Sequence, residues 1–312
     1  MSPYKRIFSA LLIAVLPVVA SAGEGGSSHV LPGATATLID LPPSTPGSFF
    51  KPMFLHYSGD ASALTPTAAG LVADLDVSVD TLVLGGGHTF ETTVLGAYYS
   101  VAAFLPYSWL DLSGSIERPA GPVSRSTNVS DFGDMTVVPI MLAWKTGEWQ
   151  IDAMLPIFAP TGSYEEGRIG NPSLNYWTFD PNIGVAYSGK KSGFNALFRT
   201  GYAINTENNA TNYESGSIWH FEASVEQLIP AGGGVFALGA EAFFFDQVSC
   251  DSGSGAVLGC FEGRTAGIGP VLGYIKLLGK QTLVMELKWL PELDTKNRLE
   301  GEYTWLRAVY KF

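Results

Sequence analysis

The chain has 312 residues, 46% of them hydrophobic and only 15% charged, with 36 Gly and 13 Tyr. That balance favours many short strands and turns over long amphipathic helices. A formal net charge of −11 argues against nucleic acid or an anionic membrane surface as partner, and 312 residues fit one large β-domain as well as two smaller ones.

The first stretch carries Lys5 and Arg6, an apolar run from Ile7 to Ala20, and then Ala20-Ser21-Ala22. A basic end, an apolar core and an Ala-x-Ala site read as a cleaved signal peptide over residues 1–22. The run is short for a helical span of about 20 residues. Residues 23–47 follow, rich in Gly, Ser, Thr and Pro and without a period. They hold Val30, Leu31, Leu38, Ile39 and Leu41, too many apolar residues for a solvated tail and too few for a domain. Two readings stand side by side: a plug at the periplasmic end of a barrel, or a disordered periplasmic leader.

From residue 48 to 312 the spacing predicts an all-β, antiparallel, up-and-down transmembrane barrel of about twelve strands. They fall at 48–58, 70–83, 92–105, 132–145, 148–160, 175–188, 192–204, 215–229, 235–248, 263–277, 281–292 and 299–312. Each reaches the ~9–11 residues that a tilted membrane strand needs. Short connections at 145–148, 188–191, 229–234 and 278–280 alternate with long ones at 59–69, 106–131, 161–174, 205–214, 249–262 and 293–298. That alternation suits a barrel with short periplasmic turns and long outer loops. The run Val83-Leu-Gly-Gly-Gly-His88, inside an intermediate link at 84–91, lacks the spacing of a phosphate site and is expected to be a turn. Thr92 to Leu110 has no charge and is nearly long enough for a helical span, but one helix beside an open sheet would leave edge groups unpaired in lipid.

Several strands alternate with a period of two, which places successive side chains on opposite faces. One face of 70–83 carries Asp74, Asp76 and Asp80. The polar faces of later strands carry Asp152, Asp180, Arg199, His220, Glu222, Glu226, Glu241, Glu286, Lys288 and Arg307. All are expected to face the lumen, giving it a more acidic than basic wall that disfavours anions. The aspartates of 70–83 suit either a cation site or a solvated wall, and His220 beside Glu222 and Glu226 suits either a proton-transfer site or a polar network. Alternation alone does not say which face meets lipid, and 92–105 and 132–145 show none that is clean.

No nucleophile elbow, dinucleotide fingerprint or zinc helix is present, so neither catalysis nor a metal or cofactor is expected. Cys250 and Cys260, the two cysteines, lie in a Gly/Ser-rich stretch and read as a disulfide stapling one outer loop. The chain ends on Tyr310-Lys311-Phe312. A terminal strand closing on an aromatic resembles the last strand of bacterial outer-membrane barrels, where it closes the sheet and is read by the barrel assembly machinery.

Segments beginning Leu41-Pro-Pro-Ser, Gly133-Asp-Met-Thr, Ala159-Pro-Thr-Gly, Asn175-Tyr-Trp-Thr, Asn209-Ala-Thr-Asn, Asp246-Gln-Val-Ser, Gly269-Pro-Val-Leu and Asn297-Arg-Leu-Glu resemble, in that order, a known family. It is the family named for the meta-pathway of phenol degradation, a group of outer-membrane barrels and transporters. The resemblance covers nearly the whole mature chain and implies a barrel among outer-membrane lipids. It also suggests passive uptake of small hydrophobic or aromatic compounds. Two other readings stay open: a barrel enzyme acting on lipids, and a structural or adhesion barrel.

Overall fold

The computed structural model describes residues 28–61, 65–67, 70–116, 121, 123–257, 259–260 and 262–312. The signal peptide at 1–22 and its cleavage near Ala22 lie outside the described residues. Among the described residues, one antiparallel sheet of seventeen strand segments accounts for the fold. Those segments form twelve staves. Four staves are interrupted, and the short Thr65–Thr67 is an arm folded back on the second.

Proline causes most of the interruptions, because it cannot donate to a ladder. Gly47–Phe50 and Met53–Ala61 part at Lys51-Pro52, Trp149–Met154 and Ile157–Ala159 at Leu155-Pro156, and Thr178–Phe179 and Asn182–Ser188 at Asp180-Pro181. Val123–Phe132 and Met135–Thr146 part at Gly133-Asp134, where two wall residues, Leu105 and Pro106, oppose three. The last strand, Glu300–Lys311, pairs with the first, Tyr303 opposite Tyr57 and Phe49 opposite Lys311. Phe312 and Ser48 then exchange backbone hydrogen bonds at 3.0 and 3.1 Å. The sheet therefore closes on itself and leaves no edge, which a strand protein in lipid requires.

Strand limits differ from the sequence expectation at 84–91, 106–131 and 293–298. The stave Gly70–Val94 runs straight through the Gly-rich stretch, and the turn falls at Leu95-Gly96, both with positive φ, before Ala97–Ile116. Gly85 and Gly87 serve close packing instead. A Cβ on Gly85 would meet Phe104 Cδ1 at 2.0 Å, and one on Gly87 would meet Phe49 Cζ at 2.6 Å. The expected long connection 106–131 is mostly strand as well, because the hairpin arms continue to Ile116 and resume at Val123. The connection 293–298 likewise shrinks to 297–299, between Gln281–Lys296 and Glu300–Lys311. No described helix is long and apolar enough to cross a membrane, and Thr92 to Leu110 is strand around a turn.

Outward faces carry the apolar side chains that a lipid-facing wall needs. Ile151 is 56% exposed and Leu306 56%, while their neighbours Asp152 and Arg307 are buried inside.

Candidate functional site

The interior divides into two halves of opposite chemistry. Toward the short turns it is ionic. Period-two alternation brings one charged residue after another to the inner face, and the register sets them side by side: Arg199 opposite Glu222, and Glu286 opposite Arg307. Arg199 Nη1 lies 2.6 Å from Asp152 Oδ1, and Lys288 Nζ lies 2.6 Å from Glu241 Oε2. His220 Nε2 lies 2.9 Å from Asp180 Oδ1, with its ring stacked on Phe245. Arg307 bonds Glu286 Oε1 through both Nε and Nη2. Asp152, Asp180, Arg199, His220, Glu222, Glu226, Glu241, Glu286, Lys288 and Arg307 are all buried on this inner wall.

Residues 28–46 stand inside this ring. The chain leaves Gly47, beside Phe312, and rises through the lumen away from the short turns. Gln150 Nε2 donates to Pro42 O (2.9 Å), Leu38 N to Glu226 Oε1 (2.9 Å) and Arg199 Nε to Thr35 O (2.9 Å). Glu222 accepts from Gly33 N at 2.5 Å, Thr35 N at 3.0 Å and Thr35 Oγ1 at 2.8 Å. Trp305 Nε1 donates to Pro32 O at 3.0 Å. Gly33 has φ +81°, and a Cβ there would meet Leu290 Cδ1 at 2.5 Å, so the close approach requires glycine. A short 3₁₀ turn, Leu38–Asp40, capped by Thr37, presents Asp40 to two cations. Lys51 Nζ is 2.7 Å from Asp40 Oδ1, and Arg307 reaches Asp40 Oδ1 at 2.9 Å and Oδ2 at 3.0 Å. Burial alone would raise the Asp40 carboxyl, but Arg307 and Lys51 outweigh it and hold it well below the usual carboxylate range.

Toward the long connections the interior is apolar. Leu55, Leu75, Val77, Leu110, Leu112 and Trp305 form one buried cluster with Val30 and Ile169. They surround a cavity of about 410 Å³. Residues 160–174 fold inward as its roof, bringing Ile169 and Gly170 against Leu112. Asp134, bulged out of its strand, anchors that roof. It accepts from Thr161 N (3.0 Å), Gly162 N (3.0 Å), Ser173 Oγ (2.7 Å) and Leu174 N (2.8 Å). Its Oδ2 also lies 2.9 Å from His29 Nε2, at the inner end of residues 28–46. The other ring nitrogen of His29 lies 2.7 Å from Thr178 Oγ1, whose own proton goes to Asn205 Oδ1 at 2.7 Å.

Asp74, Asp76 and Asp80 correct the sequence expectation. Asp74 and Asp76 are exposed on the outer surface, and Asp80 is half-exposed, 2.8 Å from His56. The opposite face of the same strand, with Leu75 at 1% and Val77 at 8% exposure, is the one that turns inward. Here the staves extend past the apolar belt, where the surroundings are water, so the polar face points out. Cys250 and Cys260 form a disulfide in the connection between Gly234–Gln247 and Arg264–Leu278. Asp40, Lys51, Asp134 and His29 were missed, because each acquires a role only through partners distant in sequence.

A closed antiparallel ring with lipid-compatible outer faces defines an outer-membrane type of β-barrel. The chain belongs to the family described as "Putative MetA-pathway of phenol degradation", whose pattern matches residues 61–308. Among solved structures it is similar to the COG4313 outer membrane channel from Pseudomonas putida F1, at 17% identity and a TM-score of 0.63, covering 91% of this chain and 100% of that one. A weaker likeness, TM-score 0.48 at 13% identity over 86% and 99% of the two chains, is to the beta domain of the Bordetella autotransporter BrkA. None of the curated proteins matches significantly.

Proposed function

We propose that this protein is an outer-membrane channel through which small hydrophobic or aromatic compounds cross passively. The observation that carries the reading is the largely apolar cavity that runs from the long-loop end of the lumen to Lys51 and Asp40. The polar surface of the outer leaflet resists apolar solutes, and a sheltered pocket of a few hundred Å³ is of the size that holds one small ligand. Most charged residues around that pocket are already paired, Asp134 with His29, Lys51 with Asp40 and Asp180 with His220, so an ionic solute would find few free partners. The row Thr178, His29, Asp134 has the order of a nucleophile, base and acid. Thr178 donates its proton to Asn205, however, so the row reads as a brace and the protein as a channel without catalysis. The expected signal peptide at residues 1–22 suits export.

The test is solute entry into proteoliposomes, comparing neutral, cationic and anionic aromatic probes of one size. Faster entry of the neutral probe is expected, and Leu110→Trp, which fills the cavity, should abolish the difference. Equal entry of all three probes, unaffected by Leu110→Trp, would overturn the reading.

A further inference from the structure

The ionic half of the lumen contains a removable core. None of residues 28–46 is part of the sheet, whose first segment begins at Gly47. Their hydrogen bonds to the wall come from several staves, Glu222 and Glu226 on one, Arg199 on another, Arg307 and Trp305 on the last, while Val30, Ile39 and Ala36 pack on apolar wall residues between them. Arg307 is the principal tie. It donates to Ala34 O at 3.1 Å, Thr37 Oγ1 at 2.8 Å and both oxygens of Asp40, while holding the wall's own Glu286. Removing the core would therefore leave Arg307 with a partner and break no sheet pairing. Beside the core, Glu241 Oε1 and Arg199 Nη2 are buried without a hydrogen-bond partner. Such atoms are satisfied by water or an ion.

We propose that residues 28–46 gate an aqueous, cation-preferring pore through the ionic half, with the Asp40–Arg307 ion pair as its lock. The inference rests on the channel reading above but concerns the ionic wall beyond Asp40 and Lys51, and the passage of ions rather than apolar solutes. With the core withdrawn, the wall presents Asp152, Asp180, Glu222, Glu226, Glu241 and Glu286 against Lys51, Arg199, Lys288, Arg307 and Lys311, a slightly acidic balance. Glu222 and Glu226 lose their backbone donors at the same moment and become free acceptors for a hydrated cation. A ring of carboxylates in a water-filled constriction selects cations. The lock is ionic and mutual, so weakening either partner shifts the balance toward the open state by the free energy that the ion pair gave the closed one.

The experiment is single-channel recording in planar bilayers, with reversal potentials across a KCl gradient, on three full-barrel proteins. They are the unaltered chain, a deletion of residues 28–40 behind an intact signal peptide, and the full-length Asp40→Asn. An unboiled gel shift establishes that each barrel is folded. The unaltered chain is expected to open rarely. The deletion should conduct continuously, with several-fold larger conductance and a reversal potential on the K⁺ side. Asp40→Asn should switch between the two levels. Adding Glu222→Gln and Glu226→Gln to the deletion should reduce the cation preference. A folded deletion that conducts no more than the unaltered chain, or one that prefers Cl⁻, overturns the proposal. If the deletion fails to fold, Asp40→Asn decides, and an unchanged opening frequency overturns the gate. Apolar flux in liposomes is measured separately, so a failed gate leaves the channel reading standing and a failed flux test leaves the gate standing.

Discussion

The two ends of the stave Gly70–Val94 differ in a way that explains much of the molecule. From Asp74 to Phe90 its even-numbered residues point outward. Near the long connections these are Asp74, Asp76, Ser78 and Asp80, and further down they are Leu82, Leu84 and Phe90. Inward, the same stave offers Leu75 and Val77 at one end and Gly85, Gly87 and Thr89 at the other. Between the bulges at 73–76 and 89–93 the pleat is unbroken, but the chemistry of each face inverts where the outer surroundings change from water to lipid. A period of two reports which residues share a face, and the surroundings decide what that face must be made of. The same contrast divides the lumen into an apolar half, roofed by residues 160–174, and an ionic half filled by residues 28–46.

Breaking the ionic half should have the largest effect. Arg307→Met leaves Asp40 and Glu286 buried without their shared cation, and a buried pair broken on one side costs ~3–5 kcal/mol. The temperature at which the folded band disappears on an unboiled gel should fall clearly. An unchanged temperature would mean that this half is not interlocked.

The roof end is stapled covalently, and its loss should matter less. Cys250→Ser with Cys260→Ser opens a loop closed over a sequence separation of 10, worth at most ~3 kcal/mol on the chain-entropy model. Amide exchange should rise in residues 248–263 and stay unchanged at Glu286 and Arg307. Faster exchange in the ionic half would show that the two ends are one cooperative unit.

Asp134→Asn sharpens the comparison further. The shape remains, but the charge that accepts from four roof groups and His29 is lost, at ~1–2 kcal/mol for charge-assisted bonds kept as neutral ones. Cleavage within residues 161–174 by added protease should become faster. The smallest effect belongs to Asp74→Asn with Asp76→Asn. Exposed on the outer surface, they should alter stability by no more than ~0.5 kcal/mol and leave ion selectivity unchanged. A shift in reversal potential with these two would restore them to the lumen wall.

The sequence by itself determined the class of fold. Composition, strand-length segments, alternation in the later strands and a closing aromatic strand pointed to an antiparallel barrel of twelve staves, because those signals are local and repeat. It also determined which charges share a face in the staves holding Glu222, Glu286 and Arg307. It misplaced the turn at 84–91, because glycines that admit Phe49 and Phe104 look the same in a sequence as glycines that bend a chain. It misread Asp74, Asp76 and Asp80, because the sign of a face depends on depth in the membrane, which no local pattern records. Only the tertiary structure decided the partners: Asp40 with Arg307 across 267 positions, His29 with Asp134 across 105, Gly33 with Glu222 across 189. Closing the ring brings those residues within hydrogen-bonding distance, and their chemistry exists only once it has closed.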